Sequence, residues 1–344
     1  MSKLTFFLQK ILAHQALTQT EAYEAMETIL TGADAEQVAA FLTALKYRGE
    51  SQQEILGMFE SIQRHSIVVS LPCPVLDIVG TGGDMANTVN ISTGAALLLA
   101  ACGVPVVKHG NRSVSSQCGS ADVLEALGVN IDIPPNAVSD CLKAANIAFL
   151  YAPSYNPILK KIRQVRRNMR ISTVFNLLGP LLNPTKPTYL LLGVAKDNSL
   201  ELLSDVILQL SHVKTAIVYH GNGLDELTTV GGATGYLIAE GRKTPFSINP
   251  ETFGFKQSAV NDLCGGNVAT NAKLLMEVFS GKMNAIADTL ILNAGVALTI
   301  YGKTTSFEDG FNLAQKTLQA GKAMLCLDKL IHVTHQYKKE KMYG

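Results

Sequence analysis

Three glycines with a hydroxyl and a carboxylate among them, Gly80-Thr81-Gly82-Gly83-Asp84, follow the apolar run Val75-Leu76-Asp77-Ile78-Val79. Glycine admits positive φ and close approach of a ligand, and successive amides in such a turn form an anion nest. A turn of this composition also occurs with nothing bound. Neither nucleotide pattern fits: the dinucleotide motif needs glycine where Met85 stands, and Gly302-Lys303-Thr304 lacks the upstream glycine of a P-loop. A second element comes close behind, Asn90-Ile91-Ser92-Thr93-Gly94, with hydroxyls at a helix start where free amides favour anions. The third is Lys108-His109-Gly110-Asn111-Arg112-Ser113-Val114-Ser115-Ser116 with Gly119-Ser120-Ala121-Asp122. Cations, hydroxyls and glycines at one end of a sheet suit a ligand with several phosphates.

Two charged groupings stand apart from these loops. Asp225-Glu226 follows the glycine-bearing loop His220-Gly221-Asn222-Gly223. Exposed acidic pairs are usually solvated surface, although paired carboxylates are also of the type that holds a divalent cation. Lys160, Lys161, Arg163, Arg166, Arg167 and Arg170 form a basic stretch that most often would be a solvated helix face. A guanidinium in it has the planar fork of donors that matches a carboxylate.

The elements that must position these groups change character along the chain. The first 65 or so residues read as helical. Thr18-Gln19-Thr20-Glu21 and Ser51-Gln52-Gln53-Glu54 are capping boxes, and Asp34 followed by Gln37 is a third helix start. Behind them lie Ala22, Met26, Ile29 and Leu30, then Val38, Phe41, Leu42 and Leu45, then Ile55, Met58, Phe59 and Ile62, all at helical spacing. Leu71-Pro72-Cys73-Pro74 marks a boundary. Beyond it, strands at 75–79, 104–107, 216–219 and 236–239 alternate with helices such as 94–102 and 121–127, which predicts an α/β sheet covered by helices.

Length and composition bound the answer. A chain of 344 residues exceeds one hydrophobic core, so two unequal domains are expected. Apolar residues at 47% and charged residues at 17% exclude disorder, and a net charge of +1 disfavours nucleic acid as a partner. The six cysteines show no CxxC spacing and read as reduced core residues. No apolar stretch is long enough to span a bilayer or serve as a signal peptide, so the cytoplasm is the expected address.

Together the segments closely resemble the anthranilate phosphoribosyltransferase family, whose hallmarks are a GTGGD loop, an NxST helix start and a KHGNRxxSSxxGSAD segment, all present here unaltered. The likeness continues through Val165-Arg166, the segment Phe175-Asn176-Leu177-Leu178-Gly179-Pro180-Leu181-Leu182-Asn183-Pro184, Gly223-Leu224-Asp225-Glu226, Gly265-Gly266-Asn267 and Leu292-Asn293-Ala294, so it covers nearly the whole chain. It implies a small all-helical domain, residues 1–70 joined by helices near 160–185, beside a larger α/β domain, 71–344, with a central mixed, mostly parallel sheet flanked by helices. It implies transfer of phosphoribosyl from phosphoribosyl pyrophosphate (PRPP) to anthranilate in tryptophan biosynthesis, with Mg²⁺, by a homodimer. The implied PRPP contacts are Gly80, Thr81, Gly82, Gly83, Asp84, Thr88, Asn90, Ser92, Thr93, Lys108, Asn111, Arg112, Ser115, Ser116 and Ser120. Gly80, Asn111, Arg166 and Gly179 are the implied anthranilate contacts, with Pro180 as pocket wall, and Ser92, Asp225 and Glu226 the implied metal contacts.

The sequence departs from the family pattern on the acceptor side, with Asn156 in place of a histidine and Arg170-Ile171-Ser172-Thr173 in place of a Gly-x-Arg-Thr segment. An aromatic amine is neutral and needs no strong base, so catalysis is expected from positioning and leaving-group stabilisation, without an acid/base dyad. Pyrimidine nucleoside phosphorylase shares the implied architecture but carries a different loop signature. A catalytically silent nucleic-acid binder would have no use for the acidic pair.

Overall fold

The computed structural model describes residues 2–113 and 117–337. Four helices open the chain: α1 (Lys3–Leu12), α2 (Gln19–Gly32), α3 (Ala35–Arg48) and α4 (Gln52–Arg64). Both capping boxes form, Thr18 and Ser51 accepting from the amides of Glu21 and Glu54 while those carboxylates return a bond to the cap amide. Asp34 occupies the N-cap of α3 but its side chain makes no capping bond. Glu54 does more than cap: it accepts from the amides of Leu17 at 2.9 Å and Ser51 at 2.8 Å and pairs with Arg48, pinning three helices at one buried carboxylate. All the apolar positions read at helical spacing are buried.

The α/β part begins with β1 (Leu76–Gly80), α5 (Ile91–Ala101), β2 (Val106–Gly110), α6 (Ser120–Ala126), α7 (Ala137–Ala145) and β3 (Ile147–Tyr151). Two boundaries differ from the apolar runs. β2 starts after Pro105, which has no amide to give the ladder and only accepts from the Leu76 amide at 3.0 Å. α5 starts at Ile91, so Ser92 and Thr93 lie inside its first turn. The chain then returns to the helical unit through α8 (Ala152–Tyr155), a 3-10 turn at Pro157–Ile162, α9 (Arg163–Met169) and α10 (Val174–Leu178). It re-enters the sheet at β4 (Tyr189–Gly193), α11 (Leu200–Leu208) and β5 (Thr215–His220), adds β6 (Ala233–Ala239) and β7 (Arg242–Ile248), and ends in α12 (Val268–Phe279), α13 (Ala285–Tyr301), α14 (Phe307–Gln319) and α15 (Lys322–His335).

The seven strands lie in the order β3-β2-β1-β4-β5-β6-β7, parallel from β3 to β5 and antiparallel from β5 to β7. From β1 the chain winds outward on one side and from β4 on the other, so the β1/β4 pair is the topological switch point where such sheets bind ligands. Alternate residues of β4 and β5 serve different cores. Leu191 and Ile217 face α5 and α13, whereas Leu190, Leu192, Ala216 and Val218 join α1–α4, α10 and α11. The helical unit therefore shares one apolar core with a face of the sheet. A buried polar pin stands between them: Asn183 Nδ2 donates to Asp77 Oδ2 and to the Val107 carbonyl, each at 2.8 Å, and burial pushes the Asp77 carboxyl up to about 6.

All six cysteines are free, but only Cys102, Cys118, Cys141 and Cys326 are buried; Cys73 and Cys264 are exposed, against the reading of a wholly internal set. Among the described residues no helix is long and apolar enough to cross a membrane.

Candidate active site

The site is assembled around the ends of β1 and β4. After β1 the backbone enters left-handed φ at Gly82 (69°) and Gly83 (87°), and again at Met85 and Asn87. Gly80 is needed for closeness: a Cβ there would lie 2.2 Å from Asp225 Oδ2, and one on Gly193, at the end of β4, 1.8 Å from the Asp225 carbonyl oxygen. Two strand-end glycines thus admit Asp225 beneath the loop, where its carboxylate accepts from the Gly82 amide at 2.5 Å. Thr81 staples the two strand ends, its amide donating to the Gly193 carbonyl and its Oγ1 accepting from the Ala195 amide, both at 3.0 Å.

Glu226 is turned the other way. Its Oε1 accepts from the Ser92 amide at 3.1 Å, so in this state a carboxylate occupies the N-terminus of α5 that the sequence assigns to an anion. Asn90, the N-cap residue, makes no capping bond and donates through Nδ2 to the Cys118 carbonyl at 3.1 Å. Lys108 is buried under the loop, with Nζ on the Ile78 carbonyl at 2.7 Å and Ser92 Oγ at 3.2 Å. Burial lowers its affinity for a proton, opposed by Asp77, Glu226 and Asp225. Burial, then repulsion by Glu226 and Asp84, hold Asp225 well above the usual carboxylate range, and burial pushes Glu226 up to about 7 against the opposing pull of Lys108 and the Ser92 hydrogen bonds. Glu226 Oε2, Asn90 Oδ1 and Thr93 Oγ1 are buried without a partner.

This donor set fits Mg²⁺. The Glu226 charge repels that of Asp225 and leaves Oε2 buried without a partner, and a hard cation held by both carboxylates and the neighbouring Ser92 hydroxyl would relieve this. Among the described residues no group of three or more carboxylate, imidazole or thiol side chains is clustered for a metal. An ion here would complete its shell with water and substrate oxygens, as magnesium does.

A cleft of about 800 Å³ opens above the loop, between the α/β part and the helical unit. Thr81, Gly82, Gly83, Asn111, Arg112 and Arg166 line it, whereas Lys108, Asn90, Thr93, Asp225 and Glu226 sit under its floor. Gly80, Asp84, Thr88, Ser92, Ser120 and Gly179 also lie outside its lining, and Ser115 and Ser116 lie outside the described residues. Thr88 is bridged to Cys264, and Ser120 Oγ donates to the Asn111 carbonyl at 3.3 Å. Arg112 is engaged internally, with Nη1 2.9 Å from Asp122 and 2.5 Å from Glu125, and these bonds keep it strongly cationic.

Arg166 stands apart from the other cations of α9. It is half-buried, its guanidinium lies 4.9 Å from the Phe175 ring centre, and among the described residues it has no ion pair. Arg167 and Arg170 are more exposed, though with Lys160 and Arg163 they line the cleft too. The departures lie here too: Arg170, Ile171 and Ser172 line the cleft, and so does Asn156, which is itself fully buried in its wall. Sequence reasoning missed Lys46, at the end of α3, and Val194-Ala195-Lys196, after β4. The second had a signal, since a loop following a parallel strand belongs to the ligand rim; the first had none, because only the packing of α3 against α9 brings it to the cleft.

Comparison with known proteins agrees with this architecture. Residues 6–66 match the model of the glycosyl transferase family helical bundle domain, and residues 73–324 that of the glycosyl transferase family a/b domain. The anthranilate phosphoribosyltransferases of Chlamydia felis and Mesorhizobium japonicum are 49% and 40% identical, each over 97% of this chain and 98% and 100% of their own lengths. The crystal structure of the Thermus thermophilus enzyme of that name superposes with a TM-score of 0.89 at 35% identity, over 95% of this chain and 99% of its own. The Saccharomyces cerevisiae enzyme in complex with PRPP and Mg also gives 0.89, at 27% identity over 97% of this chain and 98% of its own. With its glycine loop at the switch point, its acidic pair beneath and its cationic cleft above, the chain belongs to the anthranilate phosphoribosyltransferase family.

Proposed function

We propose that the cleft transfers the 5-phosphoribosyl group of PRPP to the amino nitrogen of anthranilate, giving N-(5-phosphoribosyl)anthranilate and pyrophosphate. The observation that carries this is the pairing of a backbone anion nest at the β1/β4 switch point with an unpaired arginine across the same cleft. Thr81, Gly82 and Gly83 are suited to receive the pyrophosphate, with Asn111 and Arg112 at its far side. Ser92, Asp225 and Glu226 would hold Mg²⁺, which when bound neutralises charge on the leaving pyrophosphate. Arg166 offers its donor fork to the anthranilate carboxylate, stacked on Phe175 so that little freedom remains to be lost. In the reaction the bond from C1 to the pyrophosphate oxygen breaks, the nitrogen lone pair forms the new bond to C1, and the amine releases a proton to water. The neutral nucleophile needs positioning more than a base. His109, buried with its pKa pushed down to about 4 by desolvation, has no exposed proton to offer.

A cytoplasmic homodimer is part of the same proposal. The helical unit leaves Phe6, Leu12 and Tyr47 exposed, apolar surface of the kind a second copy covers. Purified protein given PRPP, Mg²⁺ and anthranilate should consume anthranilate only when all three are present. Activity on a pyrimidine nucleoside with phosphate, and none on anthranilate, would move the chain to the phosphorylase reading.

A further inference from the structure

The wall of the cleft holds a buried polar cluster, centred on Asn156, that the substrate contacts above do not use. Asn156 is fully buried at the head of the Pro157–Ile162 turn. Its Nδ2 lies 3.2 Å from Nε2 of His109, on β2, and 3.4 Å from the Leu182 carbonyl, just past the turn Gly179–Leu181. Its Oδ1 meets the hydroxyl of Ser66, just past α4. The segments that carry Ser66, Asn156 and Leu182 are the crossings between the helical unit and the α/β part. Backbone bonds tie them together, from the Ile67 amide to the Tyr155 carbonyl at 2.8 Å and from the Val69 amide to the Pro184 carbonyl at 3.4 Å.

The orientation of the carboxamide follows from its partners. A carbonyl only accepts, so the NH₂ end faces Leu182; a hydroxyl can donate, so Oδ1 faces Ser66, although the Ile62 carbonyl competes for that proton at 3.1 Å. The NH₂ end then donates to His109 Nε2, which leaves the imidazole proton on Nδ1. The Gly179 backbone favours a proton on the His109 ring, in the sense that the Nδ1–H tautomer requires. Gly179 itself faces open space, with nothing within 4 Å of the position a Cβ would take.

We propose that Asn156 is a positioning residue for the acceptor half of the site: it locks His109 in the Nδ1–H tautomer and, through the Leu182 carbonyl, holds the Gly179–Leu181 turn that follows the cleft-lining Asn176 and Leu177. The proposal rests on the functional reading above for what this wall of the cleft meets, but the tautomer does not depend on it. An aspartate at this position would oppose two acceptors, and a leucine would leave Nε2 of His109 and the Leu182 carbonyl without a donor in a dry site.

The test uses the full-length protein with ¹⁵N-labelled histidine, the His109 signals being assigned by their loss in His109→Gln. The wild type should show an unprotonated, pyridine-type Nε2 and a protonated Nδ1; in Asn156→Asp the proton should appear on Nε2. Asn156→Leu should raise the KM for anthranilate about five- to tenfold while the KM for PRPP stays within about twofold. Ser66→Ala, which removes only the hydroxyl, should shift the same constant in the same direction by less, and stands in if the leucine variant does not fold. A wild-type His109 protonated on Nε2 overturns the proposal. So does an equal effect on both substrates, or none on either. Absence of any anthranilate turnover by the wild type, with the expected tautomer, would instead fail the functional reading.

Discussion

The two sides of the cleft are built from different materials. The donor side is backbone: loop amides, strand-end glycines that leave no room for a Cβ, and a carboxylate pair buried beneath them. The acceptor side is side chains on short elements, a 3-10 turn, the seven-residue α9 and the five-residue α10. Backbone sites tolerate little substitution because any side chain collides, whereas a side-chain site can be retuned one residue at a time. The chain's departures from the family pattern, at Asn156, Arg170 and Ser172, all fall on the side-chain half.

If that contrast holds, damage to the donor side should be the more severe. The double change Asp225→Asn with Glu226→Gln is expected to cost about a thousandfold in kcat, with partial recovery at high Mg²⁺ and an unchanged circular dichroism spectrum. A folded double variant that keeps wild-type rates would remove the metal from the account.

The seam between the halves has a pH signature of its own. His109 titrates near 4 in the folded chain against 6.5 for an ordinary imidazole. Between those values the unfolded chain holds more protons, so unfolding free energy rises with pH: the stability is complete above 6.5 and is lost as pH falls towards 4. Urea titrations should show the wild type losing about 3 kcal/mol more than His109→Gln between pH 7 and pH 4. Equal losses would mean that the ring is not held neutral. The smallest effect is expected at the exposed rim, where Lys196→Ala should raise the KM for PRPP by no more than about fivefold, and less as salt is added.

How far this was legible in the sequence follows the same division. The glycine loop, the α5 start and the acidic pair could be read because backbone sites leave glycines, caps and paired acids at short spacing. The capping boxes at Thr18 and Ser51 could be read because their bonds are local. What could not be read was tertiary. Nothing near Lys108 says that it lies under the floor, and nothing near Arg112 says that Asp122 and Glu125 already hold it. Lys46 reaches the cleft only because the helical unit shares a core with the sheet. Asp34 kept its place as a cap but not its bond, since side-chain rotamers are settled by neighbours that the sequence does not show.

Steady-state kinetics of Arg166→Ala with both substrates varied tests the central claim most directly, that one cleft holds two independent half-sites joined at the ribose C1. The guanidinium has no charged partner among the described residues, lies over the Phe175 ring and lines the cleft. A lost charge-assisted bond predicts a fall of about 10- to 100-fold in kcat/KM for anthranilate, with the KM for PRPP within about twofold of wild type. Lys161→Ala, in the same basic stretch but exposed and outside the cleft lining, should behave as wild type. Equal losses for both substrates, or an Arg166→Ala enzyme whose anthranilate kinetics are unchanged, would contradict the account.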